Sequence, residues 1–76
     1  MRRDAKTSFQ EWAHARLQET PSYRTVRDSR VDEDAERFEV EVWIADEAWG
    51  RGVGRTKRQA EQAAAQRAFG RVERQP

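Results

Sequence analysis

The chemistry open to this sequence is concentrated at Arg55-Thr56-Lys57-Arg58, where three cations surround a hydroxyl at the start of an expected helix. The first backbone N–H groups of a helix have no partner within it, and the aligned peptide dipoles place partial positive charge there. Acids ordinarily occupy that first turn. Lys57 and Arg58 instead oppose the dipole, each at a cost of roughly a few tenths of a kcal/mol. Cations added to outward-pointing donors make a place where phosphate is held. A solvated charged helix end is the plainer alternative, and for an isolated pair of bases it is at least as good an account. Three bases at the cap, with Arg51 on the same strand face as Val53 and Arg55, favour the anion site.

No second constellation competes with it. The chain has no cysteine, which excludes disulfide frameworks, thiolate metal sites and thiol catalysis. His14 is the sole histidine and cannot build a histidine-rich metal site. The acids at 32–36 are neighbours in a loop, and adjacent acids in a flexible loop seldom converge on one ion. Gly50, Gly52 and Gly54 could suggest a phosphate-cradling loop, but a helix-opening P-loop needs Gly-Lys-Ser/Thr, and here Arg55-Thr56 follows Gly54. The expectation is a binding module with no catalytic residues, no metal and no cofactor.

Charged residues make up 38% of the 76-residue chain, yet the formal net charge is only +1. The distribution matters more than the sum. Residues 32–47 hold eight acids against one base, Arg37, whereas residues 51–58 hold Arg51, Arg55, Lys57 and Arg58 and no acid. Charge of one sign at this density would suggest disorder, but here the signs are mixed and the apolar residues are periodic. One domain is the most such a chain can form, and at this length it buries only about 60% of its extended surface. The N-terminus lacks the apolar segment of a secretory signal, and no apolar run of about 18 residues could span a bilayer. The chain is therefore expected to be cytoplasmic and to have no membrane partner.

The elements that must position the cation cluster follow from periodicity. Residues 4–18 read as a helix capped by Asp4, with Phe9, Trp12, Ala13 and Leu17 along one side; Pro21 bars its continuation. Residues 22–29 are β-branched and aromatic and read as a strand, followed by an acidic loop from Arg30 to Ala35. Phe38, Val40, Val42 and Ile44 alternate with Glu39, Glu41, Trp43 and Ala45, as in an antiparallel strand with one buried face. Asp46-Glu47-Ala48 is expected to turn the chain into a third strand near Trp49 to Arg55. Three glycines at period two weaken a strand unless another backbone comes close, for example a helix crossing that face. Thr56 and Gln59 form a capping box for a helix from 57 to about 72, where Ala60, Ala64, Ala68 and Val72, with Ala65 and Phe69, make a face of mostly small side chains. Gly70 is expected to mark fraying. The order is α-β-β-β-α, an α+β domain over residues 4–72 with flexible ends at 1–3 and 73–76.

These pieces, taken in order, resemble one family. Asp4 to Trp12 (DAKTSFQEW), Pro21-Ser22-Tyr23 and Phe38-Glu39-Val40-Glu41-Val42 look like the first half of the double-stranded RNA-binding domain of bacterial ribonuclease III, and Gly50 to Ala65 (GRGVGRTKRQAEQAAA) looks like its second half. The resemblance implies a three-stranded antiparallel sheet with both helices packed on one face. It also implies three RNA-contacting regions, which in such domains span about 16 base pairs and touch two successive minor grooves and the phosphates between them. Carried over by position, Thr7, Gln10, Glu11 and His14 would meet 2′-hydroxyls and base edges from the exposed side of the first helix. Their spacing puts them on one stripe. His14 stands where the family often has glutamine. Arg55, Thr56, Lys57 and Arg58 would bind phosphates across the major groove. The loop between the first two strands usually contains Gly-Pro-x-His; this sequence departs from that pattern, and of this loop only Arg30 is carried over as a contact. Glu61 stands where eukaryotic relatives often carry a third base and ribonuclease III members a glutamate.

The resemblance implies double-stranded RNA as partner, a module that is monomeric alone, and a nuclease domain elsewhere in the full-length protein or else a stand-alone relative. The alternative from another class is a protein-interaction or dimerisation module on the same fold with weakened RNA contacts. The acidic loop, and Trp43 and Trp49 if they lie on the open sheet face, would suit it.

Overall fold

The computed structural model describes residues 4–74, in the order α1 (Ala5–Leu17), β1 (Ser22–Asp28), β2 (Phe38–Ile44), β3 (Glu47–Gly54) and α2 (Lys57–Arg74). The three strands form one antiparallel sheet in the order β1-β2-β3. β2 is central, and its side chains alternate between buried and half-buried along its whole length. Phe38, Val40, Val42 and Ile44 face the helices and join Phe9 and Ala13 of α1 and Ala60, Ala64, Ala65 and Ala68 of α2 in one core. This is the α+β architecture expected, with both helices on the same side of the sheet.

The local signals act as read, with small shifts of boundary. Asp4 Oδ1 accepts the Thr7 backbone N–H at 2.7 Å and so caps α1. α1 ends at Leu17 because Gln18 turns left-handed at φ 56° and sends its N–H back to the last carbonyls. Thr56 Oγ1 accepts from the Gln59 N–H at 3.1 Å, while Gln59 Oε1 reaches one residue further back than a capping box requires, to the Arg55 N–H at 3.1 Å. The hairpin turn is tighter than expected. Ala45 at φ 53° reverses the chain with Asp46, so β3 already begins at Glu47. Helix α2 continues through Gly70, where fraying was expected, and takes in Glu73 and Arg74 of the end expected to be flexible. The other expected flexible positions, 1–3 and 75–76, lie outside the described residues.

Two irregularities decide which way side chains face. β1 carries a bulge between Thr25 and Arg27. A second lies between β2 and β3, where Val42 pairs with Gly50 and Trp43 with Ala48, leaving Trp49 as the extra residue. A bulged residue leaves strict alternation. Trp49 therefore turns to the helix side, with its ring centroid 5.4 Å from that of Trp12 and 6.1 Å from that of Phe9. The condition on which Trp49 would suit a protein-interaction surface, a place on the open sheet face, is not met: it packs against the core between α1 and β3. Trp43, which stays on the open face, lies under the Arg24 guanidinium at 4.2 Å and donates its indole N–H to Glu41.

Candidate nucleic-acid interface

Arg55, Thr56, Lys57 and Arg58 are all exposed where β3 runs into α2. Lys57 Nζ lies 5.9 Å from the Phe38 ring centre. Arg58 lines a shallow groove with Asp4, Lys6, Thr7, Gln10, Glu61 and Gln62, so the α2 start and the exposed side of α1 share one concavity. Gln62 sets this relation. Its Oε1 accepts the backbone N–H groups of Ala5 and Lys6 at 3.0 and 3.3 Å, satisfying free donors of α1 with a side chain of α2. Lys6 adds an ion pair to Glu61 at 2.7 Å and lies over the Tyr23 ring at 4.9 Å. Thr7, Gln10, Glu11 and His14 are exposed along the same side of α1, and His14 Nε2 lies 3.0 Å from Thr20 Oγ1. Nothing in the sequence marked Gln62: an amide in a polar helix carries no signal until the helix opposite it is known.

Arg51 does not belong to the cluster. Its guanidinium pairs with Glu39 at 3.1 Å and Glu41 at 2.8 Å on the open face of the sheet. Strand alternation correctly places Arg51 and Val53 on one face, but Arg55 lies beyond the end of β3, where the chain has turned into the helix. Arg55 instead donates from Nε to the Asp32 carbonyl at 3.1 Å, tying the β1–β2 loop to the start of α2. Arg30 sits in that loop with an exposed side chain and φ 64°. The acids of the loop are ordered by their own bonds: Asp34 accepts the Glu36 N–H at 2.9 Å, and Asp28 accepts the Arg30 N–H at 2.9 Å. Among the described residues no group of three or more histidine, cysteine, aspartate or glutamate side chains is placed to hold a metal ion, and no helix is long and apolar enough to cross a membrane.

Several carboxyls titrate below their ordinary values. The Arg37 hydrogen bond lowers Asp28, the Glu36 backbone N–H lowers Asp34, the Thr7 backbone N–H lowers Asp4, and the Arg51 hydrogen bond lowers Glu41. Burial, then the charges of Glu61 and Asp4, push the Tyr23 phenol up to about 12. A depressed carboxyl contributes stability above its unfolded pKa, about 4, and that contribution is lost as pH falls through the lower folded value. A raised phenol contributes stability below its unfolded pKa, about 10, and that contribution is lost as pH rises toward the folded value. Thermal melts are therefore expected to give a flat melting temperature between about pH 5 and 9, falling below about 4 and above about 10. A marked slope between pH 5 and 7 would show that these bonds are not the ones that titrate.

The family described as double-stranded RNA binding motif matches residues 5–70. The chain belongs to that family. Its match takes in α1, the sheet and most of α2, including every candidate contact named above. Among curated relatives, the domain is 53% identical over 66 residues to Ribonuclease 3 of Rhizobium rhizogenes, covering 87% of this chain and 27% of that protein. It is 48% identical over 65 residues to Ribonuclease 3 of Myxococcus xanthus, covering 86% of this chain and 25% of that protein. The domain thus spans about a quarter of the length of these relatives. Among solved structures, Dicer from Pichia stipitis contains the same fold, with a TM-score of 0.72 at 22% identity over 91% of this chain and 31% of that one.

Proposed function

We propose that this domain holds double-stranded RNA by its shape, with the α1 stripe on a minor groove and the start of α2 on the phosphates beside it. The observation that carries this reading is the shared concavity lined by Arg58 of α2 and Thr7 and Gln10 of α1, two helices that Gln62 ties together. Thr7, Gln10, Glu11 and His14 offer groups that donate and accept, which suits a 2′-hydroxyl that does both. Thr56, Lys57 and Arg58 offer a helix start with added cations, which suits phosphate. Arg55 contributes charge while bracing the loop, and Arg30 is the loop's own contact toward the next minor groove. The deep narrow major groove of RNA hides its base edges, so recognition is not base-specific. The length of the relatives supports a further step: the domain serves a larger ribonuclease III, or a stand-alone relative, in the cytoplasm. It carries RNA affinity there as a monomeric unit while cleavage belongs to a nuclease domain elsewhere.

The protein-interaction alternative loses much of its support, since Trp49 is half-buried against the core on the helix side and Trp43 is stacked under Arg24. Binding to an RNA duplex of about 20 base pairs, long enough for the footprint of such domains, and to DNA of the same sequence tests the choice. RNA is expected to bind at least about tenfold more tightly, since DNA lacks the 2′-hydroxyls and the A-form groove. Affinity is expected to fall steeply between low and moderate salt as counterions return to the phosphates. No RNA binding at low salt, or equal binding of both duplexes, would overturn the reading.

A further inference from the structure

We propose that Arg37 is a positioning residue of the RNA interface, clamping the acidic β1–β2 loop beside the start of α2 and neutralising Asp32, whose carboxylate would otherwise oppose phosphate there. The inference rests on the RNA-binding reading and deepens it.

The loop carries Asp32, Glu33, Asp34 and Glu36, and the bond from Arg55 Nε to the Asp32 carbonyl fixes it next to the cationic helix start. An uncompensated Asp32 carboxylate there would compete with phosphate for the Arg55 guanidinium and repel the backbone. Arg37 removes that conflict. Its Nη1 holds Asp32 Oδ1 at 2.6 Å and its Nε holds Asp28 Oδ1 at 2.9 Å. The same Asp28 oxygen accepts the Arg30 N–H at 2.9 Å, at the left-handed corner that leaves the Arg30 side chain exposed. Arg37 is itself held on three sides. Its guanidinium lies 4.8 Å from the Phe38 ring centre, its N–H donates to the Asp34 carbonyl at 3.1 Å, and its carbonyl accepts the Ser29 N–H at 3.0 Å. One guanidinium thus joins the end of β1, the residue whose carbonyl Arg55 holds and the corner that carries Arg30. The Asp32 side chain is 84% exposed, and an ion pair so open to water adds little to folding stability, so its effect on RNA can be separated from folding.

The test uses Arg37→Gln, Arg37→Lys, Asp32→Asn and the double variant Arg37→Gln/Asp32→Asn, each measured for affinity to an RNA duplex at low salt and for melting temperature. Arg37→Gln is expected to weaken binding about fivefold, the scale of one or two uncompensated charges near phosphates in water. Its melting temperature should be lowered by loss of the half-buried bond to Asp28, with the chain still folded at the assay temperature. Arg37→Lys should retain most of the affinity, and Asp32→Asn should restore it in the Arg37→Gln background. Arg37→Gln binding as tightly as the unaltered chain would overturn the inference. So would a loss that neither the lysine nor the Asp32 change repairs, because a merely structural role gives that result. Should Arg37→Gln fail to fold, the lysine variant decides: a loss above threefold counts against a charge-based clamp, and retained affinity supports it. If the unaltered chain binds no RNA, the RNA-binding reading itself falls and takes this inference with it, a result distinct from tight binding that ignores Arg37.

Discussion

Gly52→Ala is expected to abolish cooperative folding, whereas Gly70→Ala is expected to raise the melting temperature. A methyl at position 52 would run into the Ala64 nitrogen, the Ala60 carbonyl oxygen and the Ala63 carbonyl carbon, all of them backbone atoms of α2. No side-chain rotation relieves such a contact, so the helix and β3 must separate. Overpacking a core typically costs about 1–3 kcal/mol, and a clash confined to backbone belongs at or beyond the upper end. A domain of this size commands only about 3–5 kcal/mol in all. Gly70 lies in α2 with no positive φ, and an added methyl would come no closer than 4.0 Å to the end of the Arg74 side chain. Alanine there gains about 1 kcal/mol of helix propensity, or about 4–8 °C in melting temperature for a domain of this size. Circular dichroism melts of the two variants check both signs together. A Gly52→Ala protein melting within a few degrees of the unaltered chain would mean that α2 is not seated on β3 as described.

The seat itself was largely legible, because two periods coincide. Gly54, Gly52 and Gly50 lie against Ala60, Ala64 and Ala68 in turn. Two residues along a strand advance about 6.7 Å and four along a helix about 6.0 Å, so the antiparallel pair stays in step over three contacts. Glycine every second residue and alanine every fourth is therefore a readable instruction for close packing. The apolar alternation of β2 was readable for the same reason: it depends only on chain neighbours. The face of Trp49 was not legible because a bulge depends on how two strands pair, and one inserted residue turns a side chain to the other face. Arg51, Arg37 and Gln62 were opaque for a related reason. Their partners, Glu39 and Glu41, Asp28 and Asp32, and the free N–H groups of α1, come from other elements, and only register and helix docking bring them within reach. Of the interface, the cations at the start of α2 stood out because they contradict a local rule, while the braces that aim them follow from tertiary structure. The net charge of +1 hides the same division, since Arg37 pairs with Asp28 and Asp32 and Arg51 with Glu39 and Glu41, while the cations of the helix start stand apart from these pairs.

That contradiction gives the second large effect. Lys57→Ala/Arg58→Ala is expected to cost at least about a hundredfold in RNA affinity near 0.1 M salt, because two charge-assisted contacts are each worth about 1.5 kcal/mol or more and every 1.4 kcal/mol is tenfold. The slope of log affinity against log salt should shallow by nearly two, since two fewer counterions are released on binding. Stability should behave differently. Removing cations from a helix N-terminus relieves their opposition to the dipole by a few tenths of a kcal/mol each, roughly balancing the loss of the exposed Lys57 contact with Phe38, worth about 0.5 kcal/mol. The double variant should therefore melt within a few degrees of the unaltered chain while losing RNA. Fluorescence anisotropy with a labelled duplex, paired with thermal melts, reads both quantities on one preparation. Affinity kept within about threefold would show that the helix start is an ordinary solvated end. A loss of binding matched by a loss of folding would place the two residues in the structure instead. Intact folding with lost binding is the signature of residues placed against the local preference of their own helix because the ligand requires them there.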